Sequence, residues 1–124
     1  MLLLEQKTEQ IIRCFYKVYN TLGYGFLEKV YENALLIELQ NNGLVCVQQK
    51  PVQVYYEKVG LYFSDIIVDN EIILEIKSGK GEIVHQHILQ LQNYLRATEY
   101  EIGMILHFGE KPLFKRKIYT NNLK

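Results

Sequence analysis

Two hydrophobic rhythms alternate along the chain, and each change of rhythm marks a change of element. From residue 8 to 22, apolar side chains recur at Ile11, Ile12, Phe15, Val18, Tyr19 and Leu22, the spacing that draws one stripe along a helix. Gly23 and Gly25 stop it. A second helix is predicted from about Phe26 to Asn41, closed by Asn42-Gly43. Its core face is expected at Leu27, Val30, Ala34 and Ile37, with Glu28, Tyr31 and Leu35 as a neighbouring stripe. Glu28 then sits in the first turn, at the border of the buried face.

From Leu44 the period falls to two. Residues 44–47 and 52–56 read as strands, with Pro51 marking an edge position or a bulge between them, and Lys58-Val59-Gly60 reads as a turn. Residues 61–68 and 72–77 are predicted to pair as a hairpin across Asp69-Asn70-Glu71. Hydrophobicity selects its register. A two-residue loop would turn Asp65 away from Glu75, because side chains flip faces at every residue. A three-residue loop sets Val68 opposite Ile72 and Asp65 opposite Glu75. It also collects Ile66, Val68, Ile72, Leu74 and Ile76 on one apolar face, worth roughly 1.5–3 kcal/mol per large side chain buried. A bulge near Asp65 after a two-residue turn would have the same effect.

After the loop Ser78-Gly79-Lys80-Gly81, a third helix is expected from Glu82 to about Ala97, with core positions Val84, Ile88, Leu91 and Leu95 and a polar flank at His87, Gln90 and Tyr94. Residues 101–107 and 113–119 are the last strands, joined by a turn carrying Gly109 and Pro112. A strand, a crossover helix and a further strand imply parallel pairing with a right-handed connection, which places strand 101–107 beside the one carrying Glu75. The element order is ααβββ(β)αββ, an α/β fold. At 124 residues and 48% hydrophobic content, one domain over residues 1–124 is expected.

Charge sharpens the picture at one strand. Ile72-Ile73-Leu74-Glu75-Ile76-Lys77 has the apolar content of a buried strand, yet an acid and a base share one of its faces. Buried charges persist when they pair, bind a metal or floor a cleft. An aspartate and a glutamate from paired strands, with a lysine two residues on, suit a hard divalent cation such as Mg²⁺ or Mn²⁺ and the hydrolysis of phosphodiesters. The structural counterpart is an ion pair between Lys77 and a carboxylate.

Overall composition adds limits. Lys plus Arg equals Asp plus Glu at 14 each, so no global basic field drives attachment to nucleic acid. The tail nevertheless gathers Lys111, Lys115, Arg116, Lys117 and Lys124 without an acid, behind a body with 9 basic and 14 acidic residues. Cys14 and Cys46 are too few for an iron–sulfur cluster or structural zinc and read as reduced, buried thiols. The apolar opening Met1–Leu4 is interrupted by Glu5 and Lys7 before it reaches the length of a signal or a membrane span. A cytoplasmic protein without membrane attachment is expected. His85 and His87 are two apart on a helix and face different ways; His87 shares a face with Gln90.

Gly25-Phe26-Leu27-Glu28-Lys29-Val30-Tyr31 resembles the motif that names the GxxExxY family. The similarity continues through Asp65, LEIKS at 74–78, QLQNYLRAT at 90–98 and His107-Phe108-Gly109, spanning about residues 8 to 118. That family is grouped with the PD-(D/E)XK nucleases, so the resemblance implies a restriction-endonuclease-like αβββαβ core, a mixed central sheet flanked by helices. It further implies a metal-dependent nuclease acting on DNA or RNA, with Asp65, Glu75 and the Ile76 carbonyl as metal ligands. Lys77 is implied as the base or water-positioning residue, Glu28 as the acid from the early helix and Gln90 as the polar residue of the later one. His87, Lys80 and Tyr31 are candidate substrate contacts, although Tyr31 also suits a core-rim aromatic whose hydroxyl finds a partner. Ser64 stands where relatives often carry a base, and His107 where a small polar residue is usual. A fold of this kind can also lose catalysis and serve as a module binding nucleic acid or protein. The small surface is compatible with a homodimer or a larger partner.

Overall fold

The computed structural model describes residues 2–53 and 61–124. Helix α1 (Leu2–Leu22) and helix α2 (Glu28–Asn41) lead into strands β1 (Cys46–Gln53), β2 (Leu61–Val68) and β3 (Ile72–Ser78). Helix α3 (His85–Arg96) follows, then β4 (Ile102–Phe108), β5 (Pro112–Ile118) and a closing 3-10 helix (Asn121–Leu123). The five strands lie in the order β1-β2-β3-β4-β5. Neighbours are antiparallel except β3 and β4, which run parallel, as the α3 crossover requires. This is the expected mixed sheet flanked by helices. No described helix is long and apolar enough to cross a membrane.

The alternation of side chains along the strands divides the core in two. Ile66, Val68, Ile72, Leu74, Ile76, Met104, Leu106 and Phe108 face α1 and α2, where they meet Ile11, Phe15, Val18, Leu35 and Leu39. Ile73 and Ile105 face the other way, onto Leu91 and Leu95 of α3. At Gly103 the approach of α3 is so close that a Cβ would stand 2.6 Å from Leu91 Cδ1, which sets the height of the helix over the sheet.

The β2–β3 hairpin has the expected pairing, Val68 with Ile72, Ile67 with Ile73 and Ile66 with Leu74. Asp69 and Asn70 both take left-handed backbone (φ 51° and 53°), and Glu71 N–H closes the turn on the Val68 carbonyl at 2.9 Å. Asp and Asn are the side chains that tolerate this geometry best.

Several expectations need correction. Helix α1 begins six residues earlier than residue 8. Helix α2 buries the neighbouring stripe instead of the expected one: Tyr31, Glu32, Leu35 and Leu39 are inside, while Leu27 is 78% and Ile37 59% exposed. The rotation is fixed by Tyr31, whose ring stacks on Phe108 at 4.3 Å and whose hydroxyl donates to the Gly23 carbonyl and accepts from Phe26 N–H. Tyr31 has no exposed surface, so it is a packing residue and not a substrate contact. Helix α3 starts at His85, and Val84, expected in its core, is an exposed cap residue. The two strands expected at 44–47 and 52–56 are one edge strand as far as Gln53. Its irregularity lies at Gln49 (φ 54°) and not at Pro51, and pairing resumes unshifted at Lys50 with Ser64. Residues 54–56 and the turn expected at 58–60 lie outside the described residues.

Candidate active site

The site forms where β2 and β3 part. Their pairing stops at Ile66 with Leu74. One position further, Asp65 Oδ2 accepts the Ile76 N–H at 2.7 Å, a donor that a regular ladder would give to backbone. The Asp65 carboxylate thus stands in the gap between the strands. An extended residue turns its N–H and C=O toward the same neighbour, so the Ile76 carbonyl also faces this gap. Glu28, at the start of α2, lies within electrostatic reach of both Lys77 and Asp65. The splay therefore lets acids from both layers of the molecule converge.

Glu75 and Lys77 project from β3 on the α3 side. They line a cleft of about 270 Å³ together with Phe63, His87, Gln90, Leu91, Tyr94 and Ile105. Glu75 Oε1 is buried and has no hydrogen-bond partner among the described residues. Burial, opposed by Lys77 and reinforced by Glu28 and Glu32, pushes the Glu75 carboxyl from its ordinary 4.5 up to about 8. Asp65 is also raised, chiefly by burial, and so is Glu28, whose carboxyl is partly desolvated and faces Asp65 and Glu32 although the residue as a whole is exposed. His87 is lowered, again mainly by burial and then by Lys77 and His107. No described carboxylate forms an ion pair with Lys77, so the structural counterpart weighed from the sequence, a closed salt bridge, is not what these residues build. Among the described residues there is no group of three or more His, Cys, Asp or Glu side chains set out as a metal cage.

The PD-(D/E)XK nuclease superfamily matches this chain over residues 5–118. The chain belongs to that superfamily. A solved structure similar to this PD-(D/E)XK chain is an alkaline exonuclease (LHK-Exo) from Laribacter hongkongensis, with a TM-score of 0.48 and 12% sequence identity over 77% of this chain and 57% of that one. The present chain thus spans a little over half the length of that exonuclease. No curated protein matches it.

Of the residues singled out from the sequence, Glu75 and Lys77 line the cleft, Asp65 is bound to the Ile76 N–H, and Asp65 and Glu28 lie within electrostatic reach of Lys77. Gln90 and His87 line the same cleft, with Gln90 Nε2 3.4 Å from the Tyr94 hydroxyl. Lys80 is exposed on the loop before α3, outside the set of residues that line the cleft. His107 is buried beside Lys77 in the parallel pairing and sits 3.1 Å from the Gly79 carbonyl through Nε2, so it braces the loop after β3.

Sequence reasoning missed Glu32, Gln49 and Phe63. Glu32 is 4% exposed and accepts from Gln48, Gln49 and Lys29. Gln49 Nε2 also lies 3.3 Å from Asp65 Oδ1, so one amide links the buried glutamate to the aspartate. Two signals were available. Glu32 lies one helical turn after Glu28 and so shares its face, and Gln49 falls opposite Asp65 once β1 and β2 are paired.

Proposed function

We propose that this chain is a metal-dependent nuclease that hydrolyses phosphodiester bonds of DNA or RNA with Mg²⁺ or Mn²⁺. The observation that carries the reading is the buried Oε1 of Glu75, without a hydrogen-bond partner among the described residues, beside Lys77 in the cleft. An unsatisfied buried carboxylate oxygen is costly, and a cation would satisfy it. The neighbouring donors suit a hard ion, which takes one or two carboxylates, a carbonyl, waters and substrate phosphate without a full protein cage. Asp65, Glu75 and the Ile76 carbonyl would hold it.

When bound, such an ion acidifies a water and offsets charge on the phosphate. The chain's own groups do the rest. Ile76 N–H and the Gln49 amide fix the Asp65 carboxylate in the gap. Lys77 extends a cation into the cleft, where it can orient the attacking water and stabilise the negative charge that grows on the phosphate oxygens. Glu28, within electrostatic reach of Lys77 and Asp65, can accept a hydrogen bond from that water. Gln90 and His87 border the space a nucleotide would occupy, and Lys80 can meet the flanking backbone. The finer placement in the GxxExxY family belongs to the same reading and rests on Gly25, Glu28 and Tyr31.

The test is Lys77→Ala, assayed on mixed DNA and RNA with and without Mg²⁺. Cleavage should need the metal and vanish in the variant while circular dichroism and melting stay unchanged. Equal residual activity in Lys77→Ala would reject the assignment.

A further inference from the structure

The cleft beside the acids has a wall that phosphate chemistry leaves unused. Phe63 is 54% exposed and lines that cleft. It lies two positions before Asp65 on β2 and so on the same face of the strand, about 7 Å along it, the reach from a phosphate to the base of its own nucleotide. Leu91 and Ile105 make an apolar floor, and Gln90, Tyr94 and His87 of α3 bring polar edges over it. We propose that this cleft is a slot for one unpaired nucleobase stacked on Phe63, and that the substrate is accordingly single-stranded nucleic acid. This rests on the reading of Asp65, Glu75 and Lys77 as the cleavage centre and names the substrate class for it.

Three further observations converge on that occupant. The volume of about 270 Å³ falls just short of the ~300–1,000 Å³ of pockets for drug-sized ligands and is ample for one flat ring system. Gln90 carries a donor and an acceptor on one amide, the pair of functions that a base edge requires. A base inside a duplex has both faces stacked and its edge paired, so it can reach Phe63 only after extrusion, whereas a single strand offers the face at no such cost. The chain also has no net charge. Attraction to phosphates alone is therefore weak, and base stacking carries a larger share of the binding.

The probe is a short single-stranded oligonucleotide with one 2-aminopurine, bound in Mg²⁺ to the Lys77→Ala protein so that it is not consumed. Binding should quench the fluorophore. An unlabelled single strand should compete, and a fully paired duplex of the same sequence should not. Adding Phe63→Ala should abolish the quench and weaken binding about tenfold, the order expected for removing one base–aromatic stack, whereas Phe63→Trp should restore both. An unchanged quench in Phe63→Ala, or equal competition by duplex, overturns the slot. The two readings separate cleanly. Stacking without cleavage of any substrate by the wild type keeps the slot and removes the nuclease. Duplex cleaved by Phe63→Ala at the wild-type rate removes the slot and keeps the nuclease.

Discussion

Glu75 is the residue whose physics differs most from its behaviour in water. Its carboxyl is raised to about 8, so in the metal-free protein it is protonated below that pH while the unfolded chain has already ionised. The folded state then binds more protons than the unfolded one between about 4.5 and 8, and stability falls as pH rises through that window. Asp65 and Glu28 are raised as well. Metal-free protein should be a few kcal/mol more stable at pH 5 than at pH 8.5, since each tenfold difference in proton affinity between the folded and unfolded states is worth about 1.4 kcal/mol. Glu75→Gln should flatten much of that slope in urea melts. Mg²⁺ or Mn²⁺, which needs the ionised carboxylate, should raise the melting temperature more at pH 8.5 than at pH 6; an equal rise at both would exclude Glu75 as a ligand. Gln49 allows a second test at this scale. Its backbone is left-handed and its amide bridges Glu32 and Asp65, so Gln49→Gly keeps the backbone without strain and deletes only the amide. Metal affinity measured by calorimetry should drop about tenfold, as for other groups that orient a ligand, and an unaltered affinity would leave Gln49 without that role.

Among the elements, the hairpin was legible from sequence and α2 was not. The apolar residues of β2 and β3 sort onto one face in the observed register, so the placing of Asp65 and Glu75 together on the opposite face of the hairpin could be derived from alternation. In α2 the apolar residues Leu27, Val30, Tyr31, Ala34, Leu35, Leu36, Ile37 and Leu39 nearly encircle the helix. Periodicity then cannot choose a face, and the choice falls to Phe108, more than seventy residues away, on which Tyr31 stacks. The same long-range decision brings Glu32 inside, which is why its part in the site was invisible. Phe63 was missed for a related reason: which side chains border the cleft depends on where α3 lands, and Gly103 sets that. Denaturation can check the rotation of α2. Leu35→Ala should cost about 2–5 kcal/mol as a fully buried leucine, whereas Ile37→Ala, at 59% exposure, should stay within about 0.5 kcal/mol. A reversed ranking would restore the face that the sequence suggested.

For the whole molecule, the open question is what a chain with no net charge does with a basic tail. In the fold that tail is the edge strand β5, and strand alternation divides its cations between two faces. Lys115 pairs with Ile105, which pairs in turn with Glu75, so all three lie in one row on the cleft side of the sheet. Lys117 pairs with Gly103 on that same side. Arg116 pairs with Met104 and belongs to the face covered by α1 and α2. A strand of nucleic acid leaving the cleft across β4 would meet Lys115 and Lys117 and miss Arg116. Each phosphate deprived of its cation should flatten the dependence of log affinity on log salt by roughly 0.7 for a single strand. The double variant Lys115→Ala/Lys117→Ala should therefore weaken binding at low salt and reduce that slope by about 1.4, while Arg116→Ala, which removes the same kind of charge from the other face, should change it little. Equal slopes for the two variants would mean that β5 contributes only a diffuse field, with the path of the substrate left to the cleft alone.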